Sequence, residues 1–354
     1  MIKLFVNARF LTQPLSGVQR YGIECSRQIK KLYPNVTFLA PKNIQHQDIA
    51  AELGAQVIGS RTGHFWEQAD LPSWLSQNNN PPLLNLANTA PLKYNNNYIT
   101  IHDLAFLHHP AWNNRLFSLW YNYLIPRLAR KSKHIFTVSE TIKKEIIKYY
   151  YIHPAKISVT YNGLSTGMIS KGKENTHKEK IILSVGSFNL RKNHQNLIQA
   201  FLESPLKQSH RLVIIGDKYK VFQETGIDEQ LVKDNRIDIF SRLTDEELIA
   251  MYRRAQIIVS LSLYEGFGIP LLEGLYFGCQ LLCSDIPVYR ELYDKYAYFC
   301  DPLNISDIKN KMNEIVADGN SPGDISLLLE KYNYTRSSDI MINQIFSEIP
   351  SGRR

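Results

Sequence analysis

Short, β-branched apolar runs alternate along the whole chain with segments whose apolar residues recur every three or four positions. The strand candidates are Lys3–Val6, Val36–Leu39, Leu83–Leu86, Tyr98–His102 and His134–Val138, then Lys180–Val185, Arg211–Ile215, Gln256–Leu261 and Gln280–Cys283. Helical spacing marks Val18–Leu32, Ser139–Tyr150, Asn193–Leu202, Asp245–Ala255 and Pro270–Phe277. Such alternation forces parallel sheets joined by right-handed crossovers. Runs such as IILSV and RLVIIG carry no polar alternate, which suits strands covered on both faces. In open sheets of this kind, ligands sit at the carboxyl ends of the strands.

A chain of 354 residues favours two such domains. Residues 163–179 (GLSTGMISKGKENTHKE) are polar, hold three glycines and show no apolar period, so they read as a linker. The expected division is 1–163 for the N-terminal domain, 164–179 for the linker and 180–334 for the C-terminal domain. A final helix, Thr335–Ile349, lies within 335–354. With 44% apolar and 21% charged residues, wholesale disorder is excluded. No apolar run is long enough to span a bilayer. The opening MIKLFVNARF reads as a first strand and not as a secretory leader. Cys25, Cys279, Cys283 and Cys300 form no C-x-x-C pair or zinc spacing, which fits a reducing cytoplasm.

Charge is unevenly placed. Residues 1–160 hold 18 Lys and Arg against 8 Asp and Glu, and the remainder holds 23 against 25. The N-terminal half is therefore the basic one, and it should attract a phosphate-bearing substrate, a membrane surface or nucleic acid.

Two loops carry the chemistry. Tyr264-Glu265-Gly266-Phe267-Gly268-Ile269-Pro270-Leu271-Leu272-Glu273 follows a candidate strand and opens a helix. Gly266 and Gly268 permit a sharp turn and a close backbone approach. Pro270 suits the first helical turn, whose free N–H groups make a ready anion site. Carboxylates beside such a site suit sugar hydroxyls better than the anion, although two solvated glutamates on a surface turn are the plainer alternative. The second loop, Val185-Gly186-Ser187-Phe188-Asn189-Leu190-Arg191-Lys192-Asn193, also runs from strand to helix. Its Arg191 can hold phosphate in a fork and Lys192 as a point charge, against the alternative of a solvated basic pair.

These residues resemble the retaining glycosyltransferases of family 4, whose fold is GT-B: α/β, with two Rossmann-like parallel-sheet domains facing each other across a cleft. The family's E-x7-E signature matches Glu265 to Glu273, and its glycine-then-basic-pair segment matches Gly186 to Lys192. Further matches, in order, are Ser16-Gly17-Val18-Gln19-Arg20, Ile101-His102-Asp103, Thr137-Val138-Ser139-Glu140, Tyr161-Asn162-Gly163 and Asp245-Glu246-Glu247-Leu248. The combination is specific where no single piece is.

The resemblance implies a role for each position. Glu273 would bind the ribose hydroxyls of a nucleoside-diphosphate sugar. Glu265 would contact the donor sugar, assisted by the backbone of Gly266, Phe267, Gly268 and Ile269. Arg191 and Lys192 would hold the diphosphate beside Gly186. Gly17 would let the first loop close on the phosphates, and His102 would reach the donor sugar near the reacting carbon. A buried structural histidine and an ordinary turn glycine are the rivals for His102 and Gly17. Many members have a Gly-Gly pair where Ser16 precedes Gly17 here. The final helix, which in the family returns to the N-terminal domain, has Tyr332 or Tyr334 in place of a frequent Trp.

The sequence has no Asp-x-Asp, so no metal and no cofactor beyond the donor substrate is expected. Charge on the leaving diphosphate would be met by Arg191, Lys192 and helix N-termini. No carboxylate is singled out as a nucleophile, which favours same-face attack, with the catalytic set Glu265, His102, Arg191 and Lys192. Residues 115–133 form an aromatic, basic helical stretch, either a membrane-surface element or a core-packed helix with a solvated cationic end. The expected function is hexosyl transfer, foremost mannosyl transfer, to a glycan or polyprenyl-linked acceptor in polysaccharide or O-antigen assembly, in the cytoplasm or on the inner membrane face. The alternatives are a GT-B epimerase or phosphorylase, and a basic nucleic-acid-binding protein. Against the last stand the missing RNP-like aromatic pattern and zinc-finger spacing.

Overall fold

A computed structural model of the chain describes residues 3–112, 114–172, 177–216, 234–241, 243–319 and 322–348. It forms two compact units, Met1–Gly163 with Lys331–Arg354, and Leu164–Glu330.

The N-terminal unit is built on seven parallel strands among the described residues. They are β1 (Leu4–Asn7), β2 (Val36–Ala40), β3 (Gln56–Val57), β4 (Leu83–Asn85), β5 (Asn97–Ile101), β6 (His134–Thr137) and β7 (Ile157–Val159). Their order is β3-β2-β1-β4-β5-β6-β7. Val6 of β1 faces Phe38 on one side and Leu84 on the other, so the strand order reverses at β1/β4. β1, β4, β5 and β6 are buried along their length, as continuous apolar runs require. One face packs Phe5, Leu39, Leu83, Leu71 and Leu75 around Trp66. The indole N–H of Trp66 donates to the Ile58 carbonyl at 2.7 Å, which removes the cost of burying it.

The C-terminal unit has β8 (Glu179–Val185), β9 (Arg211–Ile215), β10 (Ile237–Phe240), β11 (Ala255–Ser260), β12 (Gln280–Ser284) and β13 (Ala297–Cys300) in the order β10-β9-β8-β11-β12-β13. All neighbours are parallel and the reversal falls at β8/β11. Helices His194–Glu203 and Ile305–Asp318 cover one face through Leu197, Phe201, Ile308, Met312 and Ile315.

Nine expected strands are present within a residue or two of their expected bounds. The four that the apolar pattern did not mark, β3, β7, β10 and β13, are the four sheet edges. An edge strand needs no continuous apolar run, because one of its flanks lacks a neighbour.

The linker is shorter than expected. Thr166–Lys171 is a helix whose N-cap, Ser165, accepts from the Met168 N–H. Met168 is buried and ties this helix to the C-terminal unit. One anchoring residue in six is too little to register as a period. Residues 173–176 and 349–354, which the linker and the last segment include, lie outside the described residues.

The final helix, Tyr334–Ser347, packs on Gly17–Leu32 within the N-terminal unit. Ser338 Oγ donates to the Cys25 carbonyl at 3.2 Å, and the rings of Tyr33 and Phe346 lie 4.9 Å apart. The chain enters this unit again at Lys331, a few residues before the expected 335, and Tyr332 and Tyr334 are both buried. Gly163 lies where the two crossings touch. A Cβ there would stand 2.7 Å from the Cα of Asn333, so only glycine permits the approach.

Candidate active site

The two loops singled out by their residues leave β8 and β11, the strands flanking the reversal in the C-terminal unit. That is where an open parallel sheet offers a crevice.

After β8, Asn189 shapes a short 3-10 turn, Leu190–Lys192, its side chain accepting from the Lys192 N–H at 3.1 Å. Asn193 then takes a left-handed conformation (φ 54°) and starts the next helix. Gly186 makes room for Lys192: a Cβ would come within 3.1 Å of its Cε. His194, buried behind the turn, places Nε2 3.3 Å from the Gly186 carbonyl. Burial and the Lys192 charge lower its pKa to about 4, so it is neutral.

After β11, Gly268 has φ +89° and caps the helix Ile269–Tyr276, with Pro270 in its first turn. A Cβ on Gly268 would fall 2.6 Å from Cε1 of Tyr289. Tyr289 bonds Ser260 at 2.7 Å, and the Tyr293 hydroxyl donates to the Gly268 carbonyl at 3.0 Å. The turn is thus braced by two tyrosines. Gly266 and Phe267 are buried in it, and Ile269 is half-buried.

The tertiary fold then joins the loops. Glu265 Oε1 accepts from Lys192 Nζ at 2.6 Å, and its Oε2 lies 2.8 Å from Arg191 NH1. That same Arg191 nitrogen reaches the Tyr264 carbonyl, and the Leu263 N–H donates to the Arg191 carbonyl, both at 2.8 Å. Burial pushes the Glu265 carboxyl up, but the two cations outweigh it and hold its pKa at about 2. The residues had suggested cations on a phosphate and Glu265 on a sugar. Here they bind one another, because a buried carboxylate needs countercharge. Two cations against one carboxylate leave a formal charge of +1.

Glu273, the second acid, is buried one turn into its helix and accepts from the Tyr252 hydroxyl at 2.7 Å. Tyr252 is itself fully buried and stacked near Phe277. Arg191, Lys192, Gly186 and Glu265 are therefore brought together, with Glu273 on the helix that the same loop opens.

Gly17 and His102 lie in the N-terminal unit. Gly17 is the first residue of its helix, with Ser16 as N-cap and the Ser16 hydroxyl against Gln19. One turn on, the Tyr21 ring meets His102 edge-on at 4.8 Å. His102 follows β5 and is buried. Its backbone N–H donates to Asn88 Oδ1, and its Nε2 lies 2.8 Å from the Leu86 carbonyl. A carbonyl only accepts, so Nε2 bears the proton. Burial lowers the ring's pKa against smaller opposing effects of Leu86 and Asp103, which leaves a neutral imidazole with its lone pair on Nδ1.

Residues 15–167 match the family model described as Glycosyltransferase Family 4, and residues 168–327 match Glycosyl transferases group 1. The chain belongs to glycosyltransferase family 4. Its fold is GT-B in the sense of two parallel-sheet α/β units. The O-antigen chain mannosyltransferase RfbU of Salmonella typhimurium is 30% identical to this family 4 chain over 217 residues, 60% of this chain and 59% of that protein. O-antigen chain mannosyltransferase B of Escherichia coli is 23% identical over 231 residues, 62% of this chain and 61% of the other. The chain thus spans about three fifths of the length of these curated relatives. Anabaena HepE, solved in complex with UDP, superposes with a TM-score of 0.71 at 14% identity, covering 98% of this chain and 100% of that one.

Reasoning from residues missed Tyr252, Tyr289 and Tyr293, since an aromatic on a helix reads as core. It also missed a polar network in this family 4 chain at the ends of β1 and β4. Arg9 pairs with Glu67 at 3.1 Å and donates to Thr89 at 2.7 Å, and Asn7 donates to Glu67 and Asn85 at 3.0 Å each. The signal was available: Asn7 ends the first strand and Arg9 follows it, where a parallel sheet places its functional groups. Among the described residues no group of three or more His, Cys, Asp or Glu could hold a metal ion.

Proposed function

We propose that the protein is a retaining, metal-independent glycosyltransferase that moves a hexose-type sugar, mannose foremost, from a nucleoside diphosphate to a glycan or lipid-linked acceptor in O-antigen or related polysaccharide assembly. The observation that carries this reading is the Arg191–Lys192–Glu265 cluster at the β8/β11 reversal. The relatives' O-antigen mannosyltransferase activity supports the choice of sugar and setting. In this mechanism the diphosphate takes up the charge of Arg191 and Lys192 as the glycosidic bond breaks. The acceptor hydroxyl attacks from the same face, its oxygen bonds the anomeric carbon, and its proton passes to the departing phosphate oxygen. Glu265 is a positioning residue here, since both its oxygens are engaged by cations. His102, neutral, offers Nδ1 to a sugar hydroxyl. A thermal-shift panel of UDP-, GDP-, ADP- and dTDP-sugars, repeated with EDTA, tests the reading. A true donor at 100 times its Kd adds roughly 2.7 kcal/mol of stability. No shift with any of them, or transfer abolished by the chelator, would overturn it.

Glu273 is proposed to hold the donor ribose, with Tyr252 positioning its carboxylate. Tyr252→Phe keeps the ring and removes one hydrogen bond to a charged group. It is expected to raise donor KM roughly tenfold and leave kcat within about twofold. Steady-state kinetics decide: a fall in kcat at constant KM would assign Tyr252 a different role.

Helix Arg115–Lys131 buries Leu124, Ile125, Leu128 and Ala129. Along its outer face run Leu116 (76% exposed), Leu119 (68%), Tyr123, Arg127 and Arg130, three or four residues apart. The buried face packs as the core-helix expectation has it. The outer face, apolar at one end and cationic at the other, is proposed to rest on an anionic membrane at the cytoplasmic side, where a polyprenyl-linked acceptor would lie. No helix among the described residues is long and apolar enough to cross a membrane. Flotation with phosphatidylglycerol vesicles, and not with phosphatidylcholine alone, is the expected result. Equal flotation with both, or with neither, would refute the surface.

A further inference from the structure

The loop that leaves β4, residues 86–96, holds His102 at two points. The Leu86 carbonyl lies 2.8 Å from the imidazole Nε2, and Asn88 Oδ1 accepts from the His102 backbone N–H, also at 2.8 Å. Asn88 can reach because its backbone is left-handed (φ 46°) and the Thr89 N–H turns back onto the Ala87 carbonyl. Asparagine tolerates that region better than most residues with a Cβ. The Tyr21 ring packs edge-on against the imidazole at 4.8 Å.

A loop fixes a ring only as firmly as it is itself fixed. This one is gripped by two consecutive residues of the π-helical turn Trp66–Asp70. Glu67 Oε1 accepts from Thr89 Oγ1 at 3.0 Å. Gln68 takes the next part of the loop: its Nε2 donates to the Ala90 carbonyl at 2.8 Å and its Oε1 accepts from the Leu92 N–H at 2.9 Å. Arg9 completes the grip, donating to Thr89 Oγ1 at 2.7 Å and to Glu67 Oε1 at 3.1 Å. The Thr89 hydroxyl thus gives its one proton to Glu67 and takes one from Arg9. Thr89 and Glu67 are both buried, so water does not compete for these bonds. π-Helical turns recur at functional sites, and this one sets two neighbouring side chains on one loop.

A buried pair such as Arg9 and Glu67 is a poor device for stability alone, since packed apolar residues of similar volume serve as well. Its bonds lead instead to one imidazole. The Leu86 carbonyl can only accept, so Nε2 carries the proton, and the bond at one ring nitrogen sets the state of the other. We propose that Arg9, Glu67 and Gln68 are positioning residues for His102, acting through residues 86–92 with Thr89 and Asn88 as the linking side chains, and that they fix both the tautomer and the place of the ring. That His102 then meets a donor sugar rests on the transferase reading; the positioning itself does not.

Long-range proton–nitrogen NMR of the histidine rings in the full chain tests it, with the His102 signals identified by their loss in His102→Gln. The wild type is expected to show His102 as the Nε2–H tautomer alone. Thr89→Val keeps the side-chain shape and cuts the link to Glu67 and Arg9. Asn88→Gly keeps the left-handed backbone and loses the acceptor. Each should bring in the second tautomer, and Thr89→Ser, which restores the hydroxyl, should return the single one. Turnover is read in parallel as nucleoside diphosphate released from UDP-, GDP-, ADP- or dTDP-sugars with water as acceptor. In Thr89→Val and Asn88→Gly its kcat should fall about tenfold with KM within about twofold, since a misplaced group costs rate more than binding. His102 signals that match wild type in both variants overturn the proposal even if their melting temperatures fall, because a merely structural role would do that. A wild-type ring protonated at Nδ1 overturns it as well. Tautomer mixing in the variants, with no turnover of any nucleotide sugar by the wild type, would instead sink the transferase reading and leave the positioning standing.

Discussion

Arg191→Ala is expected to lower kcat by about 10²–10³ at saturating donor, the loss typical of removing one fixed donor from a developing negative charge. The guanidinium is held at two points, by Glu265 Oε2 and by the Tyr264 carbonyl, each at 2.8 Å. It is therefore oriented before any diphosphate arrives. Arg191→Lys keeps the charge and loses the planar fork, so it should recover only part of the rate. Removing Arg191 also takes one of the two cations away from Glu265 and leaves Lys192, so the carboxyl should titrate above its present value of about 2. Steady-state rates over a donor range, with melting temperature as the control for folding, separate catalysis from stability. Unchanged turnover at saturation would remove Arg191 from the mechanism.

The second large effect concerns stability. Arg9→Met is expected to cost about 3–5 kcal/mol, because it strips a buried carboxylate of its countercharge. Melting should fall by on the order of 10 °C for a unit of this size. The pH dependence carries a definite sign. Burial alone would raise the Glu67 carboxyl; Arg9, with a smaller contribution from His64, brings it down to about 2. A folded-state value below the unfolded one of 4.5 means that Glu67 stabilises the fold above about pH 4.5. That stabilisation is lost as pH falls toward 2. In Arg9→Met only the burial effect and the weaker neighbours remain, so the carboxyl protonates at higher pH and the deficit relative to wild type should shrink on acidification. Adding Glu67→Gln to the variant should recover part of the loss at pH 7. A deficit that is the same at pH 7 and pH 4.5 would contradict this account of the pair.

Legibility followed local chemistry. Gly268, Pro270 and Asn193 act on their own backbone and Gly186 on a side chain six positions away, so the two turns that build the C-terminal site could be read from residue types nearby in the chain. β8, β9, β11 and β12 were equally plain, since burial on both flanks demands an unbroken apolar run. β3, β7, β10 and β13 were not, because strands at the margins of a sheet answer to one neighbour only. Glu67 was invisible for another reason. A lone glutamate in a polar segment looks solvated, and nothing local announces that Arg9, 58 residues earlier, will cover it.

Residue order and type were sufficient for the alternation of strand and helix, the parallel sheets it entails, and the family, because each depends on periodicity and on motifs a few residues long. Partnership was decided by the folded chain. Lys192 and Glu265 are 73 positions apart, Tyr252 and Glu273 are 21, and Tyr98 and Glu348 are 250. A hydrogen bond or ion pair acts over about 3 Å and is blind to separation along the chain. Only the packing of β8 beside β11 brings two cations and an acid into contact, at the place where we propose that a diphosphate binds.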